Sequence, residues 1–271
     1  MTVRDRPAPT LSVALLGRFS VRSADGRDIR LVGRHAQALF TLLALTCRPR
    51  TREAIATDLW PDSSVSPTGP LRQALYQVRG ALAAAGVDPD AILESDAETL
   101  GMRPDAIGQL DTIDFERCAD DPTCAAERAV ALFAGDLAEG LGHDCFAAER
   151  ERLADRYEDA LAVVAAQRLA DGDLEGARTA AERLLARDPL REEAHGVLVA
   201  VYGLGGTRSQ VVRQYRRLRV VLARELAEAP LPETDAIYRL ALSRTVARSH
   251  ELAARMELER SVERSLAVVG S

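Results

Sequence analysis

Arg72, Gln73, Tyr76 and Gln77 are the residues whose types and spacing best suit a chemical task. On a helix they share one face, while Leu71, Leu75, Val78 and Leu82 form an apolar stripe on the other. Arginine can bond a guanine edge at two atoms and glutamine an adenine edge at two, so this face suits the major groove of duplex DNA. Arg48, Arg50, Thr51 and Arg52 sit in the preceding turn and, with Arg34 and Arg79, suit phosphate contacts. A polar helix face is ordinarily plain solvated surface, so the elements around it must decide.

Enzyme chemistry finds little to rest on. All 35 basic residues are arginine. A phosphate loop ending in Gly-Lys-Ser/Thr and lysine Schiff-base chemistry are therefore excluded. HExxH, GxSxG, Cys-x-x-Cys and GxGxxG after a strand are also absent. Cys118, Cys124, His143 and Cys145 are zinc-ligand types, but their spacings match no zinc knuckle, and we expect free thiols, no metal and no cofactor. The opening ten residues carry no apolar core, and no run approaches the ~18 apolar residues of a membrane span, so a cytoplasmic chain with no membrane partner is expected.

Charge is unevenly spread. The whole chain carries −6, but residues 27–82 hold eight arginines against four acids, and residues 101–271 hold 23 arginines against 30 acids. A nucleic-acid footprint belongs to the front of the chain, and protein partners to the back.

The elements follow from periodicity. Leu11, Val13 and Leu15, then Phe19 and Val21, then Ile29 and Leu31 alternate as short strands, with Asp25-Gly26 as a hairpin turn. Ala36, Leu39, Phe40 and Leu43 mark a helix over 34–46, and Thr51 caps a second helix that Pro61 stops. The Leu71–Leu82 stripe makes a third helix, and residues 92–102 a closing hairpin. Strands, three helices and a hairpin are the order of a winged helix-turn-helix. From 113 to 245 the chain is helical and repeats at 34 residues, with Ala160 matching Ala194, Val164 matching Leu198, Gly172 matching Gly206, Ala177 matching Val211 and Leu184 matching Leu218. That is the tetratricopeptide period; Thr207 with Gln210 makes a capping box, and Asp188-Pro189 opens a further helix. The expected fold class is mainly α: a winged helix-turn-helix (α+β) followed by an all-α tetratricopeptide-like domain. Its divisions are a flexible terminus over 1–10, a DNA-binding domain over 11–104, a helical domain over 113–245 and a helical tail over 246–271.

LLGRFSV, LWPD, LRQALYQVRGAL, LDTIDFE, FAGDL, AERERL and ARDPLREEAH, with the late LPET and IYRLAL, run in this order over residues 11–243. Together they resemble the actinobacterial antibiotic regulatory protein (SARP) family. The resemblance implies an OmpR-type winged helix joined to a bacterial transcriptional activation domain. It also implies binding to direct repeats in double-stranded promoter DNA and recruitment of RNA polymerase. It places Arg72, Gln73, Tyr76 and Gln77 on the base-reading face and Arg79 on its flank. Two departures stand out. Gly69-Pro70 sits where relatives extend the third helix upstream, so its first turn is expected to be missing. Glu94, Asp96 and Glu98 make the hairpin acidic where relatives are neutral or basic. The chain is therefore expected to be a transcription activator that self-associates as two subunits on a repeated site. The alternative is a protein-interaction adaptor of the same fold with weak or lost DNA binding.

Overall fold

The computed structural model describes residues 11–61, 68–121 and 125–245. They divide into two compact units, residues 1–157 and 158–271. The first unit begins with β1 (Leu11–Ala14) and β2 (Ser20–Arg22), antiparallel with Val13 opposite Val21. Leu11, Val13 and Val21 point inward and are at most 2% exposed, which is the alternation the sequence carries. Gly26 at φ 82° closes the turn that returns Asp28 opposite Arg22. The expected third strand at Ile29–Leu31 does not form. The Leu31 carbonyl accepts instead from the Gln37 side chain at 3.0 Å, and the buried Ile29 and Leu31 lead into the helix that follows. The sheet is completed by a later strand, labelled β6 below.

The three expected helices are present as α1 (Arg34–Thr46), α2 (Arg52–Leu59) and α3 (Thr68–Ala84). Thr51 caps α2, its Oγ1 accepting from the Ala54 amide at 3.2 Å. The expected missing first turn of α3 is corrected: the helix starts at Thr68 and takes in Gly69-Pro70, because proline in a first turn lacks only an N–H that would have no helical partner. A short β3 (Arg50–Thr51) precedes α2, and α4 (Pro89–Ile92) follows α3. The hairpin of β4 (Leu93–Ser95) and β5 (Thr99–Met102) then closes a second sheet in the order β3-β5-β4. Phe40, Leu43, Ile55, Leu71, Leu82 and Leu100 form its core, each at most 2% exposed.

Residues 107–110 supply β6 (Ile107–Leu110), which lies parallel to β1 and opens directly into α5 (Asp111–Asp120). At this junction the Asp111 carboxylate accepts from the Leu15 amide at 2.8 and 2.9 Å and from the Leu16 amide at 2.9 Å. The chain at 136–138 pairs with the same segment: Gly17 donates to the Asp136 carbonyl at 3.0 Å and Ala138 to the Leu15 carbonyl at 2.9 Å. Gly17 and Gly135 meet backbone to backbone, and a Cβ on Gly135 would stand 2.8 Å from the Gly17 Cα. Phe115 of α5 lies against Phe133, which stacks on Tyr157 at 4.2 Å. Arg150 donates to the Leu137 and Leu141 carbonyls, and Arg152 pairs with Glu116 and Glu149. A second short helix, α6 (Ala126–Leu132), and a turn at Asp144–Phe146 complete this part before α7 (Ala147–Ala170).

The second unit continues α7 into α8 (Leu174–Arg187), α9 (Glu192–Gly205), α10 (Arg208–Glu225) and a helix over 232–245, labelled α11. The 34-residue period is physical. α8 and α10 start 34 residues apart, each behind a side-chain cap, from Asp173 to the Gly176 amide and from the Thr207 capping box with Gln210. The matched positions 160, 164, 177 and 184, and 194, 198, 211 and 218, are all at most 8% exposed. Gly203 lets α11 approach, since a Cβ there would lie 2.6 Å from the Ala241 Cβ. Asp188-Pro189 does not open α9. Asp188 ends α8 and accepts from the Leu190 amide at 2.8 Å, and α9 begins only at Glu192. Pro189 offers its carbonyl to His195, whose other ring nitrogen meets Gln214 at 2.9 Å. Burial pushes this histidine below its ordinary value and keeps the ring neutral. Glu192 accepts from the Leu231 amide at 2.7 Å and so fixes the start of α11. None of the described helices is long and apolar enough to cross a membrane. The N-terminal ten residues and the tail from 246, expected to be flexible and helical respectively, lie outside the described residues.

Asp111→Ala strips the partner from two buried amides, so the first unit should lose about 2–3 kcal/mol, with Asp111→Asn intermediate. Denaturant unfolding followed by fluorescence of the single tryptophan, Trp60, measures this in the full chain.

Candidate nucleic-acid interface

α3 divides as its sequence demands. Leu71, Ala74, Leu75, Val78 and Leu82 are at most 9% exposed, packed towards α1 and α2. Arg72 and Gln73 are exposed and Tyr76 is 74% exposed, an unusual degree for an aromatic ring. Gln77 is half-buried, its amide close to Gly33 at the start of α1. The four residues thus fall on one face, with Gln77 at its inner edge. An exposed row of two amides, a guanidinium and a phenol can donate and accept hydrogen bonds at base edges without leaving a buried polar group unsatisfied.

The residues singled out for phosphate contacts separate into two groups. Arg34 and Arg48 are exposed and form no ion pair with a described residue, and Thr51 is exposed at the N-terminus of α2. Arg50 pairs with Asp58 at 2.8 Å, and Arg79 with Asp90 at 2.8 Å. Arg52 is tied into the wing: its Nε donates to the Asp96 carbonyl at 3.0 Å and its Nη2 to the Ser95 hydroxyl at 2.7 Å. The spacing along the chain cannot reveal these pairings, because Asp90, Ser95 and Asp96 reach the basic residues only through the fold.

The three wing acids are not equivalent. Asp96 accepts from the Glu98 amide at 2.8 Å, the Thr99 amide at 2.6 Å and the Thr99 hydroxyl at 2.8 Å, and so builds the β4–β5 turn. Those bonds, led by the Thr99 amide, hold its carboxyl below the ordinary carboxylate value. Because the folded value is the lower one, this support is complete above about pH 3.9 and is lost as the pH falls further. Glu94 and Glu98 are exposed and are acceptors in no hydrogen bond through their side chains among the described residues. They are the free negative charges of the wing.

The cysteine expectation needs one correction. Cys118 is disulfide-bonded, so its sulfur is not a free thiol, and its partner lies outside the described residues. Cys47 and Cys145 are free. Burial pushes the Cys145 thiol up to about 11, far from a thiolate at neutral pH. No three metal-ligating side chains cluster among the described residues. Trp60 lies edge-on to His35 at 5.4 Å, where it links the end of α2 to α1.

A winged helix bearing an exposed polar face, followed by capped helical repeats, is the architecture of this chain. Residues 114–242 match the family model of the bacterial transcriptional activator domain. It is similar in fold to Mycobacterium tuberculosis EmbR, solved in complex with a low-affinity phosphopeptide. The TM-score is 0.66 at 20% identity, over 91% of this chain and 71% of that one. No curated protein matches the chain.

Asp96→Ala should raise hydrogen exchange at the Glu98 and Thr99 amides at neutral pH. Glu94→Gln and Glu98→Gln should leave that exchange as it is.

Proposed function

We propose that this chain is a cytoplasmic transcription activator that lays α3 in the major groove of double-stranded promoter DNA. It binds repeated sites as two self-associated subunits and recruits RNA polymerase through its activator domain. The observation that carries this reading is the exposed row Arg72, Gln73 and Tyr76, with Gln77 at its edge, on a helix whose opposite face is fully buried in a winged helix-turn-helix. Base contacts from that row give specificity, and Arg34, Arg48 and the α2 N-terminus around Thr51 give orientation on the backbone. Arg50, Arg52 and Arg79 have intramolecular partners, so they position the interface in the free chain rather than add phosphate contacts.

A second reading, an adaptor of the same fold with weak DNA binding, draws on the same pairings and on the free carboxylates of Glu94 and Glu98. Salt dependence separates the two. With few free arginines, log affinity should fall against log salt with a slope of about −2.7 to −4.5 per subunit, the range for three to five phosphate contacts. Arg72→Ala and Gln73→Ala should each cost about 1–3 kcal/mol and relax base preference at one position, with the fold intact. Glu94→Gln with Glu98→Gln should tighten binding to any duplex. A titration at low salt that finds no association with the upstream region of its own gene, for the parent chain and for this double variant, would replace the activator with the adaptor.

A further inference from the structure

The second unit keeps its charges in two separate populations. In α7, α8 and the turn before α9, four arginines are neutralised locally, Arg168 by Asp173 at 2.6 Å, Arg178 by Glu175 and Glu182, Arg187 by Glu158 and Arg191 by Asp159, while Arg239 and Arg244 of α11 form no ion pair among the described residues. α10 differs, with six arginines against one glutamate in 18 residues. Arg213, Arg216, Arg217 and Arg219 are exposed and make no ion pair or hydrogen bond among the described residues. Arg224 pairs only with its neighbour Glu225, at 3.3 Å, and is itself 82% exposed. Arg213, Arg217, Val220 and Arg224 stand at spacings of four, three and four, one stripe along the outer face of the helix, with Val220 65% exposed among them. Like charges a turn apart with no counter-charge weaken a helix, so this stripe is not explained by the stability of the unit.

Beside the stripe lies a groove between α8, α9 and α10, with Leu185, Leu198 and Tyr202 on its walls, Gln214 and Arg217 along the α10 edge, and Glu182, paired with Arg178 at 3.3 Å, on the α8 rim. Arg217 belongs to both features. We propose that groove and stripe together form a docking site for an acidic peptide segment of a protein partner, its carboxylates on the arginines and an apolar side chain between Leu185 and Tyr202. Guanidinium pairs carboxylates with two parallel bonds, which accounts for the cation type, and the apolar walls give a peptide side chain a place that a phosphate backbone cannot use. The inference deepens the reading of residues 114–242 as the partner-facing domain and rests on it.

The test uses the full chain and a short fluorescent peptide of alternating Glu and Leu, with a Gln-Leu peptide and an unrelated duplex as companions, all followed by anisotropy. The acidic peptide should bind, and more weakly as salt rises. Arg213→Glu with Arg217→Glu should weaken it by about tenfold or more while helicity is retained, and Tyr202→Ala should weaken both peptides without altering the salt dependence. Equal binding of the Gln-Leu peptide, or binding unchanged by charge reversal, would overturn the proposal. So would loss of duplex binding in the charge-reversed chain, which would give this face to nucleic acid. If the peptide fails while promoter DNA is still bound and transcription still activated, the docking site falls and the regulator stands.

Discussion

The first unit hangs on a single carboxylate. Asp111 stands where β6 becomes α5 and takes the two amides with which β1 would otherwise end unpaired inside the protein. Burial pushes its carboxyl above the ordinary value even though backbone N–H groups from Leu15, Leu16 and Thr112 pull the other way. A charge held at that cost fixes a junction: the sheet beside the winged helix and the first helix of the activator domain meet on one side chain. The Gly17–Gly135 contact and the Arg150 bonds to the Leu137 and Leu141 carbonyls hold the same place from other directions. The helix-turn-helix touches this framework where α2 packs against the Asp144–Phe146 turn.

A second regularity concerns arginine, the sole cation of the chain. Arginines that pair hold elements together: Arg52 the wing, Arg79 the start of α4, Arg152 the contact of α5 with α7. Those left without a described partner include Arg34, Arg48 and Arg72 beside the helix-turn-helix and four arginines of α10, along with scattered ones such as Arg18, Arg30, Arg128 and Arg244. Unpaired, exposed guanidinium groups add little to stability and are free to meet anions from outside.

Much of this was legible in the residues. The helices over 34–46 and 52–59, the inward stripe of α3, the closing hairpin and the 34-residue period all follow from periodicity and capping. The helix-repeat packing follows as well, because matched small residues such as Ala177 and Ala194 are buried as the period requires. Less legible were features made by distant partners. β6 is a four-residue strand containing glycine, with no alternation strong enough to announce it, and Ile29–Leu31 looked like a strand because burial alone gives the same pattern. The motifs that carried the family resemblance prove to be mutual partners: LLGRFSV, LDTIDFE, FAGDL and AERERL meet around Asp111, Gly135 and Arg150. The roles of Arg50, Arg52 and Arg79 could not be assigned from position, since a basic residue near a turn suits a phosphate and an acidic neighbour equally well.

If α3 lies in a groove of DNA with its polar face towards the bases, a probe placed on that face must reach them. A benzoylphenylalanine photo-crosslinker can replace the exposed Tyr76, with a second chain carrying it at Val163, 45% exposed on α7, as the comparison. On irradiation with the upstream region of its own gene and excess unrelated duplex, position 76 should attach to the DNA at a few defined bases, and position 163 should not. Bound DNA that never crosslinks to position 76, or crosslinks equally from both positions, would mean that α3 does not face the bases.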